Sequence, residues 1–181
     1  MGLQKYLIFL LLIVNYSFIT YGQALKNLSG QTFPGEILKS VVYNTWGQAT
    51  TLGQVLDSLK GNAILIDFWA SWCKACITES EFTKEIQKDY KEEKIKFLFL
   101  STDTDYKQWL RGLSLINLDG VHYRIDPANK KGIQDYLKIR GIPYYVLLDH
   151  ENKIYDPKAP WPHLQKLRNE MDMLLSLMKI K

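Results

Sequence analysis

Residues 63–76 read Ala-Ile-Leu-Ile-Asp-Phe-Trp-Ala-Ser-Trp-Cys-Lys-Ala-Cys. The first half, Ala63 to Trp69, is a nearly continuous apolar run of seven residues. That pattern predicts a strand buried on both faces of a sheet. The second half changes character. From Cys73 to Lys91 apolar residues recur at helical spacing (Ile77, Phe82, Ile86, Tyr90), with Lys and Glu between them. The Cys-x-x-Cys therefore sits where a buried strand hands over to an amphipathic helix.

Working outward, Ile95 to Ser101 (IKFLFLS) reads as a second buried strand and Tyr144 to Asp149 (YYVLLD) as a third. Asp105–Leu113 and Asn129–Leu137 read as helices. A tight turn at His150–Lys153 leads to a fourth short strand, Ile154-Tyr155. Pro162 to Met178 predicts a closing amphipathic helix with Leu164, Leu167, Met171, Leu174 and Leu175 on one face. Upstream, residues 23–45 are polar with scattered Val, Ile and Tyr, a loose start with a short strand or two. Trp46-Gly47-Gln48 reads as a turn. Thr50 or Thr51 is placed to cap a helix through Leu59, and Gly61-Asn62 stops it. Strands alternating with helices predict an α/β fold around a central, mixed but mostly parallel sheet flanked by helices.

Composition bounds the function. The chain has 181 residues, 46% hydrophobic and 23% charged, close to the globular average. The net charge of +4 is modest and no long basic run occurs, so nucleic acid is not an implied partner. Only two cysteines are present, which excludes a disulfide-stapled mini-protein and an all-cysteine metal cage. Residues 1–22 stand apart. Lys5 is their only charge, followed by the apolar run YLIFLLLIVNYSF and then Gly22. This predicts a secretory signal peptide over 1–22, cleaved after Gly22, ahead of one domain over 23–181. A retained membrane anchor is the alternative, although Asn15 interrupts a run that falls short of the roughly 20 residues needed to span a bilayer.

The chemistry resides in Cys73-Lys74-Ala75-Cys76. Unpaired amides and the helix dipole at a helix N-terminus favour an anion, which lowers the thiol pKa of Cys73. Lys74 adds a nearby positive charge. Cys76, one turn later, can close a disulfide. Cys73 is then the nucleophile that forms a mixed disulfide with a substrate, and the more buried Cys76 resolves it. Two other readings exist. As an inert bridge, so small a ring constrains the unfolded chain little. As a zinc half-site, the pair needs two more ligands, and His122, His150 and His163 show no ligand spacing. Asp67 is the next informative residue. A carboxylate in a strand buried on both faces is costly without a partner or a task, and burial raises its pKa. Glu79 lies three residues after Cys76, on the same side of the helix. It reads either as a modulator of cysteine acidity or as an ordinary acidic residue near a helix start. Two carboxylates near one dithiol couple their titrations.

The segment Asp67-Phe68-Trp69-Ala70-Ser71-Trp72-Cys73-Lys74-Ala75-Cys76 resembles the active-site segment of thioredoxins, and most closely that of the exported TlpA/ResA-like thiol–disulfide oxidoreductases. Ser101-Thr102-Asp103 at the end of the second strand agrees. Arg140-Gly141-Ile142-Pro143 resembles the thioredoxin cis-proline loop, and Leu148-Asp149 with the turn at Asn152 resembles the group's following hairpin. Ala159-Pro160 is similar to members from Bacteroidetes-type bacteria. The resemblance covers roughly residues 32–178. It implies a thioredoxin fold with an N-terminal β-hairpin and an inserted segment after the second strand.

The resemblance further implies that Asp67 transfers a proton for Cys76, that Glu79 tunes cysteine acidity, and that Ile142, before a cis Pro143, pairs with an extended substrate. Trp72 and Lys74 at the rim complete the expected substrate surface, while Trp69 packs in the core. It implies an envelope or periplasmic reductant of protein disulfides, apocytochrome c among the candidates. With no nicotinamide or flavin fingerprint, no cofactor is expected, and electrons come from a membrane thiol donor. An oxidant or isomerase of the same fold, and a non-catalytic peptide-binding module, are the rival readings. Two departures are visible. Lys-Ala separates the cysteines where relatives carry proline before the second. Tyr144-Tyr145 follows the proline where small polar residues are usual, so the substrate groove is expected to be narrowed or reshaped there.

Overall fold

The structure is a computed structural model and describes residues 22–179. The expected signal peptide, residues 1–22, lies outside the described residues but for Gly22. Six helices and seven strands follow one another from residue 35: α1 (Gly35–Leu38), β1 (Val41–Tyr43), β2 (Ala49–Thr51), α2 (Leu52–Leu59), β3 (Ala63–Trp69), α3 (Lys74–Asp89), β4 (Ile95–Ser101), α4 (Tyr106–Ile116), β5 (Val121–Ile125), α5 (Pro127–Tyr136), β6 (Tyr144–Leu148), β7 (Ile154–Ala159) and α6 (Gln165–Lys179).

The strands form one sheet in the order β2-β1-β5-β4-β3-β6-β7. All seven residues of β3 are buried, as the apolar run predicts. They alternate between two cores. Ala63, Leu65 and Trp69 face Ile86 of α3, Trp109 and Ile116 of α4, and Leu167, Met171, Leu174 and Leu175 of α6. Ile64, Ile66 and Phe68 face Leu52, Val55, Leu56 and Leu59 of α2 and Ile133 of α5. The sheet is thus sandwiched between two helical layers. Asp67 takes the one position on the α3 side of β3 that an apolar residue would otherwise fill.

The sheet is mixed, as expected, but antiparallel pairings outnumber parallel ones. Only β3–β4 and β4–β5 pair in parallel, while β1–β2, β1–β5, β3–β6 and β6–β7 are antiparallel. Parallel pairs need a crossover helix, which α3 and α4 supply; the short connections at either edge make hairpins. Apolar runs report burial and not direction. The N-terminal hairpin of β1 and β2 is present as expected. Its turn is closed by Asn44, whose Oδ1 accepts from the N–H groups of Trp46 and Gln48 at 3.0 Å each, with Gly47 at φ +76°.

Strand β5 was not expected. Its alternation Val-His-Tyr-Arg-Ile has period two, but the polar members find specific partners. His122 stacks on Phe99, with centroids 4.7 Å apart, and Arg124 lies 5.2 Å over the ring of Tyr43. The helices differ in detail from the sequence reading. Helix α4 runs on to Ile116, and α5 starts at Pro127 with Asp126 as its cap. Thr51 caps α2 through a reciprocal pair with Gln54. The fourth strand extends to Ala159; Pro157 is tolerated there because β7 is an edge strand. The closing helix begins at Gln165, not Pro162, so Leu164 falls before it and is 43% exposed rather than buried.

Candidate active site

The dithiol lies at the carboxyl end of β3. Cys73 is the N-cap residue of α3, and its N–H donates to the carbonyl of Ala70 at 3.0 Å. Cys73 and Cys76 form a disulfide with Cα atoms 5.2 Å apart. Cys73 Sγ accepts from the Cys76 N–H at 3.1 Å. In the reduced state the same amide and the helix dipole would favour a thiolate there. Both cysteines are buried, Cys76 slightly more than Cys73. Cys73 Sγ also lies 3.6 Å from the carbonyl oxygen of Ile142, and the Ile142–Pro143 bond is cis. The cis-proline loop and the cysteine pair are therefore in contact, as the resemblance implies.

The loop between β3 and α3 is braced from β4. Asp103, almost fully buried, accepts from the Ser71 N–H at 2.9 Å, from Ser71 Oγ at 2.7 Å and from Ser101 Oγ at 2.7 Å. The Thr102 N–H donates to the Trp69 carbonyl at 2.8 Å. On the other side Gly112 of α4 presses on the loop: a Cβ there would stand 2.6 Å from Ser71 Cβ and 3.2 Å from the Trp69 ring. Nothing in the resemblance at Ser101-Thr102-Asp103 assigns Asp103 this task. A buried Ser-x-Asp at a strand end was the available signal.

Asp67 sits beneath the helix, cross-strand from Phe99 and Tyr145. Its carboxyl is buried, Oδ1 has no hydrogen-bond partner among the described residues, and burial, with the charge of Glu79 second, raises its pKa from 3.8 to about 8. Glu79 is also buried at the foot of the first turns of α3. It is held by His163: Oε1 lies 2.7 Å from the ring Nδ1 and Oε2 accepts from the His163 N–H at 3.2 Å. The His163 contact was missed, because it joins residues 84 positions apart and no local pattern announces it.

The remaining expected site residues divide. Trp69 is core, as expected, and Trp72 is 65% exposed at the rim beside exposed Lys74. Pro143 is buried and Ile142 half-buried. Tyr144 and Tyr145 border the groove that follows the proline, but both are buried. Both rings turn into the core, one on each side of β6. Tyr144 Oη donates within 2.9 Å of the carbonyls of Leu137 and Pro157, whereas Tyr145 Oη is buried without a partner among the described residues. A groove of about 590 Å³ runs from Ile142 and Pro143 past Lys158 to Trp161 and Leu164. Among the described residues no cluster of three His, Cys, Asp or Glu side chains is placed to hold a metal ion, and no helix is long and apolar enough to cross a membrane.

Known proteins are similar to this chain. The family model described as thioredoxin-like matches residues 61–154, which include β3, both cysteines and the cis-proline. The thiol-disulfide oxidoreductase ResA of Bacillus thuringiensis is 26% identical over 102 residues, 56% of this chain and 57% of that protein. The chain thus aligns with little more than half the length of the first curated relatives. The thioredoxin-like protein YneN of Bacillus subtilis is 26% identical over 180 residues, 94% of this chain and 99% of its own. A crystal structure of a Bacteroides vulgatus protein assigned as a thiol-disulfide oxidoreductase superposes with a TM-score of 0.67 at 29% identity, covering 82% of this chain and 97% of that one. With a family model spanning more than half of its residues and the dithiol, buried aspartate and cis-proline in one place, the chain belongs to the thioredoxin-like family.

Proposed function

We propose that this protein is an exported thiol–disulfide oxidoreductase that reduces protein disulfides. The observation that carries the reading is the Cys73–Cys76 disulfide at the α3 N-terminus, within 3.6 Å of the Ile142 carbonyl, in a protein whose strand β3 buries the carboxyl of Asp67. The thiolate of Cys73 attacks a substrate disulfide, forming a Cys73–substrate bond and releasing one substrate thiolate. Cys76 then gives its thiol proton to Asp67 and attacks Cys73 Sγ. The Cys73–Cys76 bond forms, the second substrate thiolate leaves, and the substrate has gained two electrons. An Asp67 near pKa 8 supports proton acceptance and return close to neutral pH. Glu79 tunes this carboxyl by its charge. The Ile142 backbone and Pro143 align an extended substrate, and Trp72 and Lys74 meet it at the rim.

Residues 1–22 act as a signal peptide for a domain over 23–181, which places the protein in the cell envelope. Its disulfide is returned to the dithiol by a membrane thiol donor, and apocytochrome c is a candidate substrate. A second reading, an oxidant, rests on Lys74. A cation beside the first cysteine stabilises the thiolate and so makes the disulfide more oxidising. The test of the primary reading is catalysed reduction of insulin by dithiothreitol. Wild type accelerates it, Cys73→Ser does not, and equal rates with and without wild type would leave only a peptide-binding module.

A further inference from the structure

We propose that the Glu79–His163 pair shapes the substrate groove. It pins to α3 the turn that carries Trp161 and Leu164, and these two residues select substrate chains with a large apolar side chain beside the disulfide cysteine. The selection rests on the thiol–disulfide reading and defines the substrate class of that same site. It gives Glu79 a positioning task, apart from any effect of its charge on the dithiol.

Residues 161–164 form a tight turn, closed by the Leu164 N–H, which donates to the Trp161 carbonyl at 2.9 Å. His163 is a central residue of this turn, and Glu79 grips it at two points. Oε2 accepts from the His163 N–H at 3.2 Å, and Oε1 lies 2.7 Å from Nδ1. A carboxylate oxygen only accepts, so Nδ1 is the donor, and the bond has the length of a charge-assisted one. The Glu79 side chain is 6% exposed and that of His163 38%. A carboxylate buried so deeply needs its donors, so the turn is held where Glu79 is. The imidazole in turn places its aromatic neighbours. Phe82 of α3 lies 5.8 Å from it between centroids, and Trp161 meets it edge-on at 5.9 Å. Arg168 adds a weaker tie from α6, donating to the Pro162 carbonyl at 3.4 Å.

The two end residues of the turn, Trp161 and Leu164, both line the groove that starts at Ile142 and Pro143. The Ile142 carbonyl lies 3.6 Å from Cys73 Sγ. A substrate whose sulfur has reached Cys73 therefore has its neighbouring residues at the groove. Trp161 and Leu164 are exposed, which leaves apolar area beside the nucleophile for a substrate side chain to cover. The charged residues of the lining are Arg140 and Lys158, with no carboxylate among them. The groove thus suits a large apolar side chain in a neutral or acidic stretch of chain.

Two short peptides test the selection. Each holds a central cysteine as its mixed disulfide with thionitrobenzoate, flanked by phenylalanine in one and by glycine in the other. Reduced full-length protein is mixed with either in a stopped-flow instrument. The Cys73 thiolate attacks the peptide sulfur, the S–S bond breaks, and thionitrobenzoate leaves with the electron pair and is read by its absorbance. The quantity compared is the ratio of the two second-order rate constants, with a cooperative thermal transition as the check that each variant is folded. Wild type should favour the phenylalanine peptide about tenfold, the lower end of what apolar contacts in a pocket discriminate. His163→Ala should bring the ratio close to one. His163→Asn, which keeps an N–H donor in the place of Nδ1, should restore most of it. Trp161→Ala removes the wall with the grip intact and should also bring the ratio close to one. A ratio in His163→Ala equal to that of wild type, including the case in which both peptides slow together, overturns the proposal. So does a folded His163→Asn with a ratio as low as that of His163→Ala, or a Trp161→Ala ratio like that of wild type. A wild-type ratio near one overturns the selection and leaves the thiol chemistry standing. Absence of thionitrobenzoate release by wild type overturns the thiol chemistry and the selection together.

Discussion

Replacing Asp67 by Asn separates the cost of a buried charge from everything else the residue does. The unfolded carboxyl ionises near 3.8, the folded one near 8. Between those values the folded chain holds a proton that the unfolded chain has released. Stability therefore falls as pH rises through the window, by about 1.4 kcal/mol for each pH unit, and levels off above about 8. Over the roughly four pH units involved, the ionised Asp67 costs on the order of 6 kcal/mol. Desolvation is the main cause and the charge of Glu79 the lesser one. Asn has the same shape and no charge to desolvate. Its buried amide adds a constant offset, because it does not titrate. Urea unfolding of the oxidised proteins, compared from pH 4 to pH 9, should show the variant gaining on wild type steadily with pH. At pH 8.5 the relative gain over pH 4 should reach several kcal/mol. A difference between the two proteins that does not change with pH would refute the reasoning, since it would mean that Asp67 ionises alike in both states.

Two further substitutions probe the frame around the cysteines. Asp103→Ala leaves the Ser71 N–H, Ser71 Oγ and Ser101 Oγ without their acceptor. With bonds to a charged group contributing about 1.5–3 kcal/mol each and water only partly replacing them, urea unfolding should show a loss of about 3 kcal/mol or more. Insulin reduction should fall with it, because the loop that carries Cys73 loses its brace. Gly112→Ala puts a methyl group 2.6 Å from Ser71 Cβ, and overpacking of that kind costs about 1–3 kcal/mol. A thermal midpoint equal to wild type would show that α4 can withdraw from the loop without cost.

Much of this architecture is legible in the residues. The run Ala63–Trp69 announces a strand covered on both faces, and the switch to helical spacing after Cys73 places the dithiol at a helix N-terminus. Asp67 could be picked out because an acid in such a run conflicts with its surroundings, and conflicts of that kind gather at sites. The Ile142–Pro143 loop was placed by resemblance, and the fold brings it to Cys73. What stayed hidden depends on pairings that the sequence does not write. The two hairpins could be read from their turns, but apolarity does not report direction, so the antiparallel pairings of strands distant in sequence, β1–β5 and β3–β6, went unread. Strand β5 hid behind His122 and Arg124, whose partners Phe99 and Tyr43 are distant in sequence. Tyr144 and Tyr145 line the groove, as their place after the proline predicts, but strand alternation, which the resemblance does not report, sends each ring to its own core. His163 was considered only as a metal ligand. Its bond to Glu79 needs the last loop folded back over α3.

The central claim is that Cys73 and Cys76 work as a reducing dithiol, and the reduction potential of that couple tests it most directly. Equilibration of the protein with dithiol buffers, followed by thiol trapping, gives the value. A potential near about −270 mV, that of thioredoxin, is the predicted result and fits a protein that passes electrons to substrate disulfides. A potential near about −120 mV would contradict the account. The pair would then be an oxidant, and Lys74 would be the first residue to replace.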